Sequence, residues 1–188
     1  QRVIVEESKT DDLYLMIEKN ILKLITQKLD LSKEYFDLLS SLRRLEKIAE
    51  SKTKVAYKDF AHSPSKVAAT TKAVKEQYPS RKVVACLELH TYSSLNAEFL
   101  KEYQGALDYA DVAVVFYSPD AVKIKQLEEV TYDQIAKSFN REDLIIYTNP
   151  ADFKNFLFSQ NLDNSALLLM SSGNYGGLNF DEVKSLIN

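Results

Sequence analysis

The stretch Asp59-Phe60-Ala61-His62-Ser63-Pro64 follows an apolar, strand-like run and opens a helix. Pro64 suits the first position of that helix, and Ser63 suits its N-cap. Asp59 and His62 are therefore expected at the carboxyl end of a strand, beside a helix N-terminus that favours anions. This layout is typical of a ligand crevice in an open α/β sheet, although the same two residues would also serve merely to cap a turn.

Strand-like and helix-like segments alternate along the rest of the chain. The apolar run Lys82–Leu89 is continuous, as is typical of a parallel strand covered on both faces. This alternation predicts an α/β fold with a mostly parallel, Rossmann-like sheet and helices on both faces. The later predicted strands are 111–117, 144–148 and 166–170, and the predicted helices are 64–78, 98–109, 131–139, 150–158 and 180–187. Asn179 and Glu182 predict a capping box for the last helix.

The N-terminal part of the chain is expected to be an appendage. Residues 1–42 carry apolar side chains at helical spacing, which predicts a helical segment or linker remnant that covers a core face or a partner domain. Residues 43–60 are compatible both with a helix and with a β-hairpin. The expected organisation is thus an appendage over 1–42 and a main domain over 43–188.

Composition excludes several classes of function. The net charge is -3 with 27% charged residues, which argues against a broad nucleic-acid or membrane footprint. Two histidines and one cysteine cannot form a Cys/His zinc cluster or a disulfide framework. Cys86 lies in an apolar run and is expected to be buried and inert. No apolar run approaches the ~20 residues that span a bilayer, so a cytoplasmic location is expected.

Four loops are expected at one rim, because the carboxyl ends of parallel strands share one edge of a sheet. These loops are 59–64, 88–94, 117–119 and 171–177. Three of the four glycines lie in the last loop, which permits close backbone approach to a ligand but equally fits a tight turn. The sequence contains neither a G-x-S-x-G elbow nor a G-x-x-x-x-G-K-[ST] phosphate loop.

Three motifs carry a resemblance to the Mur ligases, ATP-dependent amide-bond-forming ligases of peptidoglycan. The stretch 59–64 resembles the D-x-x-H-x-P signature that opens their C-terminal domain. Arg43-Arg44-Leu45-Glu46 resembles the Arg-(Met/Leu)-Glu just upstream of that signature. The segment 168–177, which reads Leu-Leu-Met-Ser-Ser-Gly-Asn-Tyr-Gly-Gly, resembles the M-S-N-G-G-F-G-G end of the branch that reattaches recycled tripeptide. The likeness covers roughly residues 43–188. For residues 43–60 it favours the β-hairpin and not the helix.

The resemblance implies roles for individual residues. Arg44, Asp59 and His62 are expected to bind the nucleotide. Residues 90–94 resemble the family's P-H-R-Y-[ST]-R segment, with Thr91 and Ser94 where the family has arginines. The residues expected to contact the amino acid or peptide substrate are His90, Thr91, Tyr92, Ser93, Gly173 and Asn174. No catalytic residue and no metal ligand is expected in this chain.

The resemblance also implies partners and cofactors. ATP and Mg²⁺ are expected to be bound mainly by a central domain that this chain lacks, so the chain alone is expected to be inactive. The other expected partners are a UDP-N-acetylmuramate-type substrate and an amino acid or peptide. The last motif favours the tripeptide-recycling branch, whereas the His-Thr-Tyr segment leans towards the alanine-adding branch. The alternative is a non-catalytic α/β binding module that uses residues 11–42 as a partner-binding arm.

Overall fold

A computed structural model describes residues 45–128 and 130–188 of the chain. The predicted helical appendage over 1–42 and the candidate Arg44 lie outside these described residues. Within them, six strands form one sheet. The strands are β1 (Leu45–Glu50), β2 (Lys54–Asp59), β3 (Lys82–Leu89), β4 (Val112–Tyr117), β5 (Ile145–Tyr147) and β6 (Ser165–Met170). The helices are α1 (Pro64–Gln77), α2 (Ala97–Leu100), α3 (Pro119–Ile124), α4 (Tyr132–Phe139), α5 (Pro150–Ser159) and α6 (Phe180–Ile187).

The order of strands across the sheet is β1-β2-β6-β3-β4-β5. Strands β1 and β2 pair antiparallel, which confirms the hairpin, and all other pairs are parallel. Met170, at the end of β6, lies between Asp59 of β2 and Leu87 of β3. The parallel strands therefore end at one edge, and the loops after β2, β6, β3 and β4 share the predicted rim.

Apolar side chains fill both faces of the sheet. On one face the core includes residues of α1, α2 and α4, and on the other it includes residues of α5 and α6. Both faces are apolar because successive apolar side chains of a strand point to opposite faces of the sheet. In β3, Val83 and Ala85 belong to the first core, and Val84 and Cys86 belong to the second. Cys86 is fully buried, as predicted, and burial raises the pKa of its thiol. The predicted α/β class is confirmed.

The predicted helix over 98–109 is wrong in length. Helix α2 ends at Leu100, a 3-10 turn follows over Lys101–Tyr103, and the chain then reverses through turns. Gly105 adopts φ +76, a left-handed conformation that ends helical geometry. Tyr103 instead stacks on Phe139 with ring centroids 5.2 Å apart, so the segment buries its apolar residues through turns.

Two of the predicted helix caps differ from expectation. Ser63 occupies the N-cap position of α1, but its side chain makes no capping hydrogen bond among the described residues. At α6 the Asn179 side chain accepts from the Asp181 N–H, whereas the Glu182 carboxylate pairs with Lys154. A full capping box forms at α4 instead, between Thr131 and Gln134. No helix of residues 45–128 and 130–188 is both long and apolar enough to cross a membrane.

Asp111 links the start of β3 to α1, which predicts a pH-dependent contribution to stability. Its Oδ2 accepts hydrogen bonds from Lys75 Nζ and from the Val83 N–H, both at 2.7 Å. Burial acts to raise the pKa of Asp111, but these hydrogen bonds and the Lys75 charge outweigh it and hold that pKa below its usual value. The stabilisation is therefore present above the unfolded-state pKa of ~3.9 and is lost as the pH falls through the lower folded-state pKa.

We expect Asp111→Asn to lower the free energy of unfolding by about 1 kcal/mol at pH 7, with a smaller loss near pH 3. Urea denaturation of both proteins at the two pH values measures the difference. Lys75→Met should remove most of the same pH dependence, because it removes the charge that Asp111 faces. A loss of equal size at both pH values would contradict the prediction.

Candidate functional site

A cleft of about 260 Å³ opens at the rim, between the β1–β2 hairpin, the loop after β6 and α6. Asp59 and Gly173, two of the predicted site residues, both line it. Lys58 and Glu46 form an ion pair of 3.1 Å at this cleft, and the Lys58 ammonium lies 5.4 Å from the centre of the Phe180 ring. The residues lining the cleft are Glu46, Lys58, Asp59, Phe60, Leu169, Ser171, Gly173, Tyr175 and Phe180.

The loop after β2 holds the two predicted nucleotide residues that the structure describes. Asp59 is buried, and its Oδ1 accepts a hydrogen bond of 2.6 Å from the Ala61 N–H. The half-buried His62 has Nδ1 2.8 Å from the Phe60 carbonyl oxygen, and its ring meets the Phe60 ring edge-on at 5.1 Å. His62 does not line the cleft, so the structure places only Asp59 of this pair there.

The predicted substrate residues in the loop after β3 make different contacts. Thr91 Oγ1 lies 3.1 Å from Ser93 Oγ and 2.9 Å from the buried Ser94 Oγ, so these hydroxyls bond one another. Tyr92 is exposed, with Lys125 Nζ 4.3 Å from the centre of its ring. The His90 side chain faces Glu88, with Nδ1 3.6 Å from Glu88 Oε1. His90 approaches the loop after β6, since a Cβ at Gly173 would lie 3.1 Å from His90 Cγ.

The loop after β6 closes around the buried carboxylate of Glu88, at the end of β3. Glu88 Oε2 accepts hydrogen bonds from the Ser171 hydroxyl and, at 2.8 Å, from the Tyr175 N–H. A side chain at Gly173 would place its Cβ 2.9 Å from Glu88 Oε2 and 3.1 Å from His90 Cγ, so any larger residue would require the Glu88 carboxylate or the His90 ring to shift. Asn174 forms the turn that follows, where its side-chain oxygen accepts from the Gly177 N–H.

Tyr175 anchors this loop from within. It is buried despite a left-handed φ of +53. Its hydroxyl donates towards the carbonyl oxygens of Cys86 and Met170, at 2.8 and 2.9 Å. Burial raises the pKa of Tyr175 well above its usual value. Its ring stacks on Phe153 of α5, with centroids 4.9 Å apart.

Glu88, Ser171 and Tyr175 were not among the residues named for the site, although these three residues connect the two predicted substrate loops. The signal available was Glu88 itself, a carboxylate inside the apolar run 82–89. Burial of a carboxylate is costly unless hydrogen-bond donors surround it. The strand pattern therefore required partners for Glu88, but it did not show which loop supplies them.

Few side chains in the described part of the chain are placed to bind a metal ion. Among residues 45–128 and 130–188, no group of three or more histidine, cysteine, aspartate or glutamate side chains could hold a metal ion. Glu88 and His90 are two potential metal ligands that lie side by side. The hydrogen-bond donors to Glu88, however, are the Ser171 hydroxyl and the Tyr175 backbone N–H. The arrangement is that of a carboxylate accepting hydrogen bonds, and it does not fit a resident cation.

Comparison with known proteins points to one family. The family model described as "Mur ligase, glutamate ligase domain" matches residues 43–173. A UDP-N-acetylmuramate–L-alanine ligase of Streptococcus agalactiae is 30% identical over 145 residues, which cover 74% of this chain and 30% of that ligase. The ligase of the same name from Lactococcus lactis is 28% identical over 116 residues, covering 62% of this chain and 25% of that ligase. The chain thus spans less than a third of the length of these two ligases.

Two solved structures share the fold. A murein peptide ligase from Psychrobacter arcticus superposes with a TM-score of 0.61 at 18% identity, over 78% of this chain and 30% of that one. A UDP-N-acetylmuramoyl-L-alanyl-D-glutamate–2,6-diaminopimelate ligase gives a TM-score of 0.53 at 16% identity, over 77% and 31%. The family model and the relatives together show that this chain belongs to the Mur ligase family, with the glutamate ligase domain of that family over residues 43–173.

Proposed function

We propose that this chain is the C-terminal domain of an ATP-dependent ligase that forms amide bonds in peptidoglycan synthesis or recycling. The observation that carries the proposal is the family match over residues 43–173. The rim geometry supports it, since the loops after β2 and β6, which carry two of the family-like motifs, border one cleft. In this role the domain closes over ATP and positions the amine nucleophile.

Asp59 and His62 are proposed to meet the ribose and adenine side of ATP. Phe60 is 61% exposed and its ring contacts that of His62, so the loop offers an aromatic surface to a base. The first turn of α1 carries no acidic residue, which leaves the positive end of its dipole open to phosphate among the described residues. Arg44, outside the described residues, is proposed to contact ATP from the hinge side.

The amine substrate is proposed to lie against the loops after β3 and β6, at His90, Thr91, Tyr92, Ser93, Gly173 and Asn174. When bound, ATP supplies the phosphoryl group that activates the carboxylate of a UDP-N-acetylmuramate-type substrate. The proposal assigns Mg²⁺ and most of the phosphate contacts to an ATP-binding central domain of the same enzyme. The amine is an amino acid or a peptide.

The test is ligase activity of the intact protein that carries this segment. We expect ATP-dependent phosphate release with UDP-N-acetylmuramate and either L-alanine or the tripeptide L-alanyl-γ-D-glutamyl-meso-diaminopimelate. Asp59→Ala or His62→Ala should raise the KM for ATP about tenfold, the order expected for one lost hydrogen bond to the ribose or the base. Asp133→Ala, which changes an exposed aspartate of α4, is the matched control and should leave that KM unchanged.

One result would count against this function, and another would count only against the proposed nucleotide site. Absence of activity in the wild-type intact protein with both amines would favour the non-catalytic binding module. Activity that neither Asp59→Ala nor His62→Ala depresses would keep the ligase but remove the loop after β2 from the nucleotide site.

A further inference from the structure

We infer that Glu88 is a positioning residue, which holds the loop after β3 and the loop after β6 in one arrangement and orients His90 towards the amine substrate. The substrate part of this inference rests on the proposed ligase function, whereas the coupling of the loops depends on the contacts of Glu88 alone. Glu88 reaches both loops because β3 and β6 are neighbours in the sheet.

The Glu88 side chain is only 4% exposed, and its two oxygens face different loops. Oε2 accepts from the Ser171 hydroxyl and the Tyr175 N–H, while Oε1 faces His90 Nδ1 at 3.6 Å. Ser171 Oγ in turn accepts a hydrogen bond of 2.6 Å from the Gly173 N–H. Because a buried carboxylate without donors is costly, the loop after β6 is held against Glu88 by its two donors. The other oxygen faces the imidazole of His90, so both loops lie against the same carboxylate.

The same contact orients the imidazole of His90. With Nδ1 turned towards Glu88, the ring proton of neutral His90 is favoured on Nδ1, and Nε2 on the far side of the ring is left as an acceptor. The His90 side chain is 43% exposed, so the imidazole lies partly at the surface, where a ligand can reach it. An amine N–H is the donor that complements Nε2 as an acceptor. It also suits this loop, in which Thr91 and Ser94 replace the family's arginines.

Kinetics of the intact protein give the first test. We expect Glu88→Gln to raise the KM for the amine about tenfold while the KM for ATP changes less than about twofold. His90→Gln should raise the same KM, and the double variant should be no worse than His90→Gln alone, because Glu88 acts on the amine through His90. Effects that multiply in the double variant, or equal rises in both KM values, would overturn the inference.

The second test needs no ligase activity. The chain has only two histidines, so His62→Gln assigns the imidazole signals of His90 in long-range ¹H–¹⁵N spectra. We expect the neutral ring to carry its proton on Nδ1 in the otherwise wild-type chain and to shift towards the Nε2–H form in Glu88→Gln. A wild-type ring that already carries the proton on Nε2 overturns the inference, even if Glu88→Gln does not fold.

Ser171→Ala provides a milder variant for the coupling of the loops. It removes one donor to Glu88 and leaves the carboxylate and His90 in place. We expect the Gly173 and Tyr175 amide signals and the His90 ring signals to shift together, and a shift in the Gly173 and Tyr175 amides alone would show that the loops are not coupled. An inactive wild-type protein with the expected spectra would refute the ligase function while leaving the coupling intact.

Discussion

Tyr175→Ala is expected to lower the free energy of unfolding by about 4 kcal/mol, the typical cost of deleting a buried aromatic ring. Tyr175 is 1% exposed and packs against Phe153 and Phe116, with ring centroids 4.9 and 6.0 Å away. Its hydroxyl also bridges the carbonyl oxygens of Cys86 and Met170, on the neighbouring strands β3 and β6. Urea denaturation followed by far-ultraviolet circular dichroism measures the loss.

Two variants separate the parts of this effect. Tyr175→Phe keeps the ring and removes the hydroxyl, so it should cost only about 1–2 kcal/mol. Tyr92→Ala removes an aromatic ring that is 62% exposed, and the free energy of unfolding should change by less than about 0.5 kcal/mol. A loss below about 1 kcal/mol for Tyr175→Ala would show that the ring does not hold the loop after β6 to the sheet.

Gly176→Ala is expected to destabilise the protein by about 3 kcal/mol. Gly176 adopts φ +71, where an L-residue costs roughly 1–2 kcal/mol, and its added Cβ would lie 2.5 Å from Pro150 Cγ. Pro150 is the first residue of α5, and its ring lacks the freedom of a flexible side chain. The remaining cost is that of forcing the loop and α5 apart, about 1–3 kcal/mol for overpacking.

Gly105→Ala is the matched control for backbone strain. Gly105 has nearly the same φ, +76, but its Cβ would meet only the carboxylate end of Asp108 at 3.2 Å. We expect this variant to cost about 1 kcal/mol, as measured by the same urea denaturation. Equal losses for Gly105→Ala and Gly176→Ala would mean that the contact with Pro150 relaxes without cost.

The candidate site was only partly predictable from the sequence. The loop after β2 was placed correctly, because a strand end, an N-cap position and a proline are adjacent in the chain. His90 and Gly173 were named for the same substrate, and the structure brings them into near contact. Glu88 received no role, because its partners Ser171 and Tyr175 lie 83 and 87 residues further along the chain.

The sequence by itself determined the alternation of strands and helices, the class of the sheet and the four loops expected at its carboxyl edge. These features depend on hydrophobic periodicity, prolines and glycines, all of which act over a few residues. The tertiary structure alone decided that β6 lies between β2 and β3, and therefore that the last loop closes over Glu88. Strand order is a property of distant packing, which brings together a carboxylate, a hydroxyl and an imidazole that no local pattern links.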